Sequence, residues 1–455
     1  MSLERLYHRA PYPVRVAAAS ARGLVLDRAR YGSETEGLVG AALERDHWEK
    51  SQWDRYRHDR LAEVLSVARR LVPAYEGMGN WAPDPFDDLP SWPLLSKASL
   101  RENTSRFVRR DATGHLVREH TSGTSGMPLE LVIDRRAYRE WYALSVARWR
   151  HWYGVTRQDR WGIVGGQLVV PPGATEPPYW VWNAASRQLY LSAYHVGARS
   201  AAYYLRAIER HRVTYLLGYP SSLHALAVAC RREGIKPKPL RVVIGNAEPV
   251  LAHQREVISD VFGCPVRETY GMAEYVAAAS ECENGSLHLW PEVGEVEVLD
   301  DQGDRLEAGQ TGRLCCTGLL NTTMPLVRYL LGDVGRLAPG EKTCACGRTL
   351  PVLEAIEGRS DDLVHTVDGR VLGRLDPVFK GDLPLFGAQI VQEELTRFRV
   401  LVVPAPGYGR DVADVISTRL RDRVGPVEVS IEEIDELPVG PNGKFKAVIS
   451  RVDPQ

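Results

Sequence analysis

The sequence predicts an α/β protein of more than one domain, and three observations carry that prediction. Between Ser200 and Val250 helix-like and strand-like segments alternate, which implies a parallel sheet with crossover helices. The 455 residues exceed what one hydrophobic core usually supports. A run of six small or hydroxylated residues, Thr121-Ser122-Gly123-Thr124-Ser125-Gly126, leads into the apolar residues Leu129, Leu131, Val132 and Ile133. Two glycines allow a tight turn, and exposed backbone N–H groups with four hydroxyls make an anion-binding concavity. A polar hairpin fits the run equally well when it is taken alone.

The elements follow in order. Residues 38–72 read as helical, with Trp48, Trp53, Tyr56, Leu61, Val64, Leu65 and Val67 near helical spacing. Pro73 and the stretch WAPDPFDDLPSWP end that region. Residues 96–103 predict a short helix, 135–151 a longer one, and 161–164 an apolar strand. Then come a helix over 201–211, a strand over 213–217, a helix over 221–233 and a strand over 241–244. Residues 293–298, where Glu295 and Glu297 alternate with valines, and 312–317 read as antiparallel or barrel-type strands. The tail from about residue 363 mixes short strands with a helix over 411–423.

Composition bounds the function. With 44% hydrophobic and 25% charged residues the chain resembles an ordinary soluble enzyme. A net charge of -1 removes the electrostatic case for nucleic acid as the main partner. Arg148 with Arg150, and Arg231 with Arg232, read as solvated helix faces. No run approaches the roughly 18 apolar residues of a membrane span. The opening MSLERLYHRAPYP carries charges and no apolar signal core, so the expectation is a cytoplasmic protein. Seven cysteines fit a reducing compartment better than a disulfide framework.

Four further motifs follow the Ser/Gly/Thr run in order: YGMAE at 270–274, RYLLGD at 328–333, GRSDD at 358–362 and GPNGK at 440–444. Together the five resemble the phosphate loop and downstream motifs of adenylate-forming ligases, in particular the phenylacetate–CoA ligase family and its capsular-polysaccharide-associated relatives. The resemblance spans about residues 45 to 450. It implies the adenylate-forming ligase fold: a large N-terminal α/β domain over 1–357 with barrel-like strands, helical over about 1–115, and a small mobile α+β domain over 363–455. GRSDD at 358–362 would be the hinge, with Asp361 as the residue whose torsions change between two catalytic states.

The resemblance also assigns roles. TSGTSG, with Thr124 central, would cradle the triphosphate of ATP. Many family members place Lys after the last glycine of this loop, whereas Met127 stands here, so one cation near the leaving pyrophosphate is missing. Glu274 would ligate Mg²⁺, a hard cation that prefers oxygen. Tyr270, followed by Gly271, would pack on adenine. Asn246, Ala247 and Glu248 in GNAEP would flank adenine and acyl group, although turn chemistry also explains Gly, Asn and Pro there. Asp333 has a carboxylate suited to the ribose hydroxyls; Leu331 stands where the family usually carries Thr. Arg359 would contact ribose or phosphate, and Lys444 would stabilise charge at the α-phosphate in the transition state.

Cys282 and His288, with five residues between them, together with Cys344-Ala345-Cys346, offer three thiolates and one imidazole suited to tetrahedral Zn²⁺. Related family members carry such a zinc site; free buried thiols fit the spacing too. Cys315 and Cys316 are adjacent on an expected strand and would point to opposite faces. Cys230 and Cys264 read as core. YHVG at 194–197 and GYPSS at 218–222 resemble segments bordering the acid substrate, which makes His195, Tyr219 and Ser221 acyl-pocket candidates; a Pro-Ser helix start explains GYPSS as well. The implied activity is formation of an acyl-adenylate from ATP and a carboxylic acid, then transfer to coenzyme A. Transfer to an amine, or a nucleotide-binding pseudoenzyme, are the alternatives. A homodimer stays open.

Overall fold

The computed structural model describes residues 3–120, 129–171, 174–340, 344–359, 364–367, 371–372, 375–379, 383–438 and 446–452. The predicted alternation folds into an eight-stranded sheet. Its central five strands are mutually parallel: Val266–Gly271, Val242–Gly245, Tyr215–Gly218, Trp161–Gly165 and Gln188–Ser192, in that spatial order. Antiparallel strands extend both sides, Trp180–Asn183 at one and Ala278–Glu281 then Leu287–Leu289 at the other. Crossover helices Ala198–Arg210, Pro220–Arg232 and Ala252–Phe262 pack on it, burying Leu205, Leu223, Leu226, Ile258 and Phe262. The first two are the helices expected over 201–211 and 221–233, whereas Ala252–Phe262 was not among the expected elements; Pro220 occupies the first turn of its helix, where its missing N–H costs nothing.

Strands Gly294–Leu299, Thr311–Gly318, Tyr329–Leu337 and Leu353–Arg359 form a second, antiparallel sheet, as the valine alternation predicted. The sequence Leu385–Glu394, Arg397–Pro404, helix Arg410–Val424, Glu428–Glu433 and Val448–Ser450 builds a third sheet with its own core around Phe398, Val400, Ile416 and Leu420. The protein is thus α/β, with a large sheet-rich N-terminal part and a smaller C-terminal one.

Two expectations need correction. The helical region 38–72 is two helices, Thr35–Arg45 and Lys50–Leu71, because Glu49 and Gln52 form a capping box that starts a new helix. Helices Leu3–Arg9 and Tyr12–Arg30 fall in the region the resemblance implied to be helical, though periodicity had not delimited them; the second covers the edge strand Trp180–Asn183. Arg148 and Arg150 are not solvated. Arg148 is fully buried, with Nε on Asp46 at 2.9 Å and its two terminal nitrogens on Glu292 at 2.8 and 2.9 Å. Arg150 donates to the Tyr215 hydroxyl at 2.9 Å. The buried pairs tie the helix Thr35–Arg45 and helix Arg135–Trp149 to the entry of the second sheet. Burial pushes Asp46 up despite Arg148, whereas Glu292, equally buried, is held below the usual carboxylate range by Arg148 and Arg45 together. Arg231 and Arg232 are exposed, as expected.

Candidate active site

In an open parallel sheet, ligands bind outside the carboxyl ends of the strands, where the chain leaves the ladder with unpaired backbone groups. The sequence candidates collect along this edge. Tyr219 and Ser221 follow the strand ending at Gly218; Asn246, Ala247 and Glu248 follow Gly245; Tyr270 and Gly271 end their own strand; His195 follows Ser192. Gly218 allows close approach, since a Cβ there would meet the Val164 carbonyl oxygen at 2.3 Å. Neighbouring strand ends are cross-linked: Thr269 Oγ1 donates to the Gly245 carbonyl at 2.8 Å, and the Asn246 amide reaches Thr269 Oγ1 at 3.5 Å. The Glu248 carboxylate accepts from the Ser221 backbone N–H at 3.0 Å, joining the GNAEP and GYPSS turns.

The second sheet brings Asp333 to the same place. The Tyr270 hydroxyl donates to Asp333 Oδ2 at 2.6 Å. Burial, then the Asp333 charge, push the Tyr270 phenol well above its ordinary range, so it remains a donor. Tyr270 therefore orients the carboxylate in addition to presenting a ring. Asp333 pairs in register with Arg359 on the adjoining strand.

Glu274 lies on the bend after Gly271. Its Oε1 accepts from Lys97 Nζ at 3.1 Å and from the Tyr329 hydroxyl at 3.2 Å, and its side chain is only 8% exposed. Three non-glycine residues with left-handed backbone flank these groups: Ala247 (φ 66°), Tyr275 (φ 54°) and Arg328 (φ 46°). Such residues cost about 1–3 kcal/mol each and persist only where packing over-determines them. Here it does. The Tyr275 ring stacks on Trp141 at 4.3 Å, and its hydroxyl donates to Glu119 at 3.1 Å. Arg328 is pinned to Glu297 and to the carbonyls of Pro90 and Trp92.

Several expected residues lie outside the described ones: Thr121, Ser122, Gly123, Thr124, Ser125, Gly126, Met127, Asp361 and Lys444. The strands on either side of the 121–128 stretch, Leu116–His120 and Glu130–Asp134, pair antiparallel up to His120 opposite Glu130. Glu119, bonded to Tyr275, brings this hairpin against the Glu274 bend. Among the acyl-pocket candidates, His195 Nδ1 lies 2.8 Å from Ser192 Oγ and its ring stacks on Tyr179 at 4.9 Å. Ser221 Oγ is buried with no hydrogen-bond partner among the described residues. Lys97 and Tyr329 were not singled out from sequence; Ser96 signalled a helix start, but nothing local signals a contact 177 residues away.

The second constellation closes on itself. Cys282, His288, Cys344 and Cys346 present ligand atoms that all lie within 4.8 Å of one another. Cys282 and Cys344 sulfurs are 3.6 Å apart, and Cys346 Sγ is 3.3 Å from His288 Nε2. Tetrahedral zinc, with Zn–S about 2.3 Å and Zn–N about 2.0 Å, requires edges of about 3.8 and 3.5 Å. The four residues fit that ion. His288 Nδ1 donates to the Leu350 carbonyl at 3.0 Å, which fixes the ring with Nε2 toward the thiols. Left-handed Gly285 and Gly347 make the two tight turns. Burial pushes the Cys282 thiol up to about 11; at Cys344 burial works the same way, but hydrogen bonding with Ser286, Cys346 and His288 brings it down to about 6. Cys230, Cys264, Cys315 and Cys316 are buried elsewhere.

The fold is an α/β one whose sequence candidates collect at the carboxyl edge of the large sheet. The chain belongs to the AMP-binding enzyme family, which it matches over residues 83–324, and residues 366–451 match the CapK C-terminal domain. It is 24% identical over 377 residues to Protein CapK of Staphylococcus aureus, covering 79% of this chain and 80% of that protein. It is 27% identical over 327 residues to the phenylacetate-coenzyme A ligase of Thermus thermophilus, covering 68% and 70%. The fold is that of 2-hydroxyisobutyryl-CoA ligase in the postadenylation state with 2-HIB-AMP, at TM-score 0.68 and 20% identity over 89% of this chain and 91% of that one. Among the described residues no helix is long and apolar enough to cross a membrane.

Proposed function

We propose that the chain activates a carboxylic acid with ATP and passes the acyl group to coenzyme A. A carboxylate oxygen attacks the α-phosphorus, the bond to the bridging oxygen breaks, and pyrophosphate leaves with an acyl-adenylate formed. The thiolate of coenzyme A then attacks the acyl carbonyl and AMP departs. The observation that carries this reading is the convergence of Glu274, the Tyr270–Asp333 pair and the Asn246–Glu248 turn on one strand edge.

In this reading Asp333, oriented by Tyr270, accepts from the ribose hydroxyls, since a carboxylate offers about four acceptor sites. Glu274 would hold Mg²⁺, which neutralises charge on the polyphosphate. Residues 121–126 would supply backbone donors to the phosphates, and Arg359 would face the nucleotide. Lys444 would enter from the small domain, over 363–455, which turns on Asp361. His195, Tyr219 and Ser221 would border the acid. Cys282, His288, Cys344 and Cys346 would hold a structural zinc that braces the hairpin beside the Tyr270 strand.

Pyrophosphate exchange into ATP, screened over aryl, aliphatic and hydroxy acids, tests the first half-reaction. Exchange with at least one acid is expected, followed by thioester formation when coenzyme A is added. No exchange with any acid, despite ATP binding, would replace the enzyme by a nucleotide-binding pseudoenzyme. Consumption of the adenylate by an amine and not by coenzyme A would make it an amide-forming ligase.

A further inference from the structure

Lys97 is held in place by backbone geometry that has nothing to do with its side chain. Leu95 is stitched to the second sheet as a short extra strand: its N–H donates to the Arg328 carbonyl at 2.9 Å and its carbonyl accepts from Leu330 N–H at 2.9 Å. Ser96 then caps the helix Lys97–Glu102 by accepting from Ser99 N–H. The side chain of Lys97 is thereby delivered to Glu274, 30% exposed where its partner is 8% exposed.

The pair has a chemical conflict built into it. The ammonium and the Tyr329 hydroxyl both donate to the same oxygen, Glu274 Oε1. A carboxylate so buried needs a cation, and Lys97 supplies it when no nucleotide is bound. Once a divalent cation takes that carboxylate, the ammonium faces a like charge and must find another anion. Its four-carbon stem is flexible enough to move, and the anion arriving with the metal is the polyphosphate. The residue directly after the phosphate-loop motif, Met127, carries no charge that would compete for this role. We infer that Lys97 is a phosphate-binding residue: counter-ion to Glu274 without nucleotide, and a direct contact to the polyphosphate of the bound magnesium nucleotide. The inference rests on the adenylating reading above and deepens it.

Calorimetric titration with MgATP and with adenosine, on wild type, Lys97→Gln and Lys97→Arg, tests it. Glutamine is the replacement because its amide can still donate to Glu274, which protects the fold while removing the charge. Lys97→Gln should weaken MgATP binding by about 10- to 100-fold, the worth of a charged hydrogen bond, and leave adenosine affinity unchanged. Lys97→Arg should restore part of the loss. Unchanged MgATP affinity in Lys97→Gln, or equal weakening of adenosine, overturns the inference alone. A wild type that binds neither ligand overturns the adenylating reading with it. A second measurement needs no variant: MgATP, unlike adenosine, should shield Lys97 from acylation by an amine-reactive ester, read by peptide mass spectrometry. Equal labelling of Lys97 under both conditions overturns the contact.

Discussion

At the proposed zinc site, replacing Cys344 by Ser removes one of the four candidate ligands, Cys282, His288, Cys344 and Cys346, while keeping the side chain's size. A ligand that binds only the folded chain stabilises it by RT ln(1 + [L]/Kd), roughly 4 kcal/mol when free zinc is 1,000-fold above Kd. For a unit of about 350 residues the unfolding entropy is roughly 0.7 kcal/mol/K, so losing the ion lowers the melting temperature by about 5–6 °C. The structure says where the damage falls. Thr349, five residues after Cys344, donates through its N–H to the Asp46 carbonyl at 2.9 Å and through its hydroxyl to the Trp48 carbonyl at 2.6 Å. Arg348 lies over the Trp152 ring at 4.2 Å. Loosening the metal loop therefore frees the break between the helices Thr35–Arg45 and Lys50–Leu71. Metal analysis of the purified wild type should give close to one zinc per chain, and Cys344→Ser should give much less and melt earlier. Purified wild type that carries no zinc, or that melts at the same temperature as Cys344→Ser, would refute the reasoning.

Other substitutions probe the chemistry. Glu274→Gln keeps the shape and removes the charge; adenylation kcat should fall by roughly two to four powers of ten, about 3–5 kcal/mol of transition-state stabilisation, and near-normal pyrophosphate exchange would reject Glu274 as the magnesium ligand. Lys444→Ala should abolish pyrophosphate release yet still consume chemically prepared acyl-AMP with coenzyme A; equal loss of both half-reactions would reject domain alternation about Asp361. His224, buried beside His253, is pushed down to about 3 by burial and then by His253. Unfolded His224 takes up a proton below about 6.5 while the folded one does not, so its contribution is intact above pH 6.5 and is lost as pH falls toward 3, by about 1.4 kcal/mol per pH unit. Denaturant titrations of His224→Leu should show a flatter fall in stability between about pH 6.5 and 4.5, and superimposable slopes would remove His224 from the account.

What the sequence disclosed follows a physical divide. Local signals were sufficient for elements whose ends are set by their own residues, such as the helix Pro220–Arg232 with Pro at its first turn and the valine-rich strand Gly294–Leu299. They also located Cys282 and His288, because one tight turn keeps both within reach of one ion. Interactions closed by tertiary structure left no such mark. Arg148 in VARWRH has the look of a surface arginine; only the fold supplies Asp46 and Glu292. The left-handed backbone at Tyr275 and Arg328 is hidden for the same reason, since neither residue is the glycine or asparagine such a torsion favours.

Those hidden features share a location, and that gives them a common cause. Tyr275 follows Glu274, Arg328 precedes Tyr329, and Tyr329 and Lys97 converge on the Glu274 carboxylate. Left-handed torsion at Tyr275 is held by the Trp141 stack and the Glu119 bond; at Arg328 it is held by Glu297 and two carbonyls. The strain at Tyr275 is therefore supported by the helix Arg135–Trp149 and the strand Leu116–His120, and that at Arg328 by the antiparallel sheet and the 90–92 segment, while Glu274 follows the large sheet and Tyr329 lies on the antiparallel one. Relaxing either torsion would move one partner of the carboxylate and leave the other behind. A site built across two sheets needs such rigid corners, because neither sheet alone fixes the distance between its ligands.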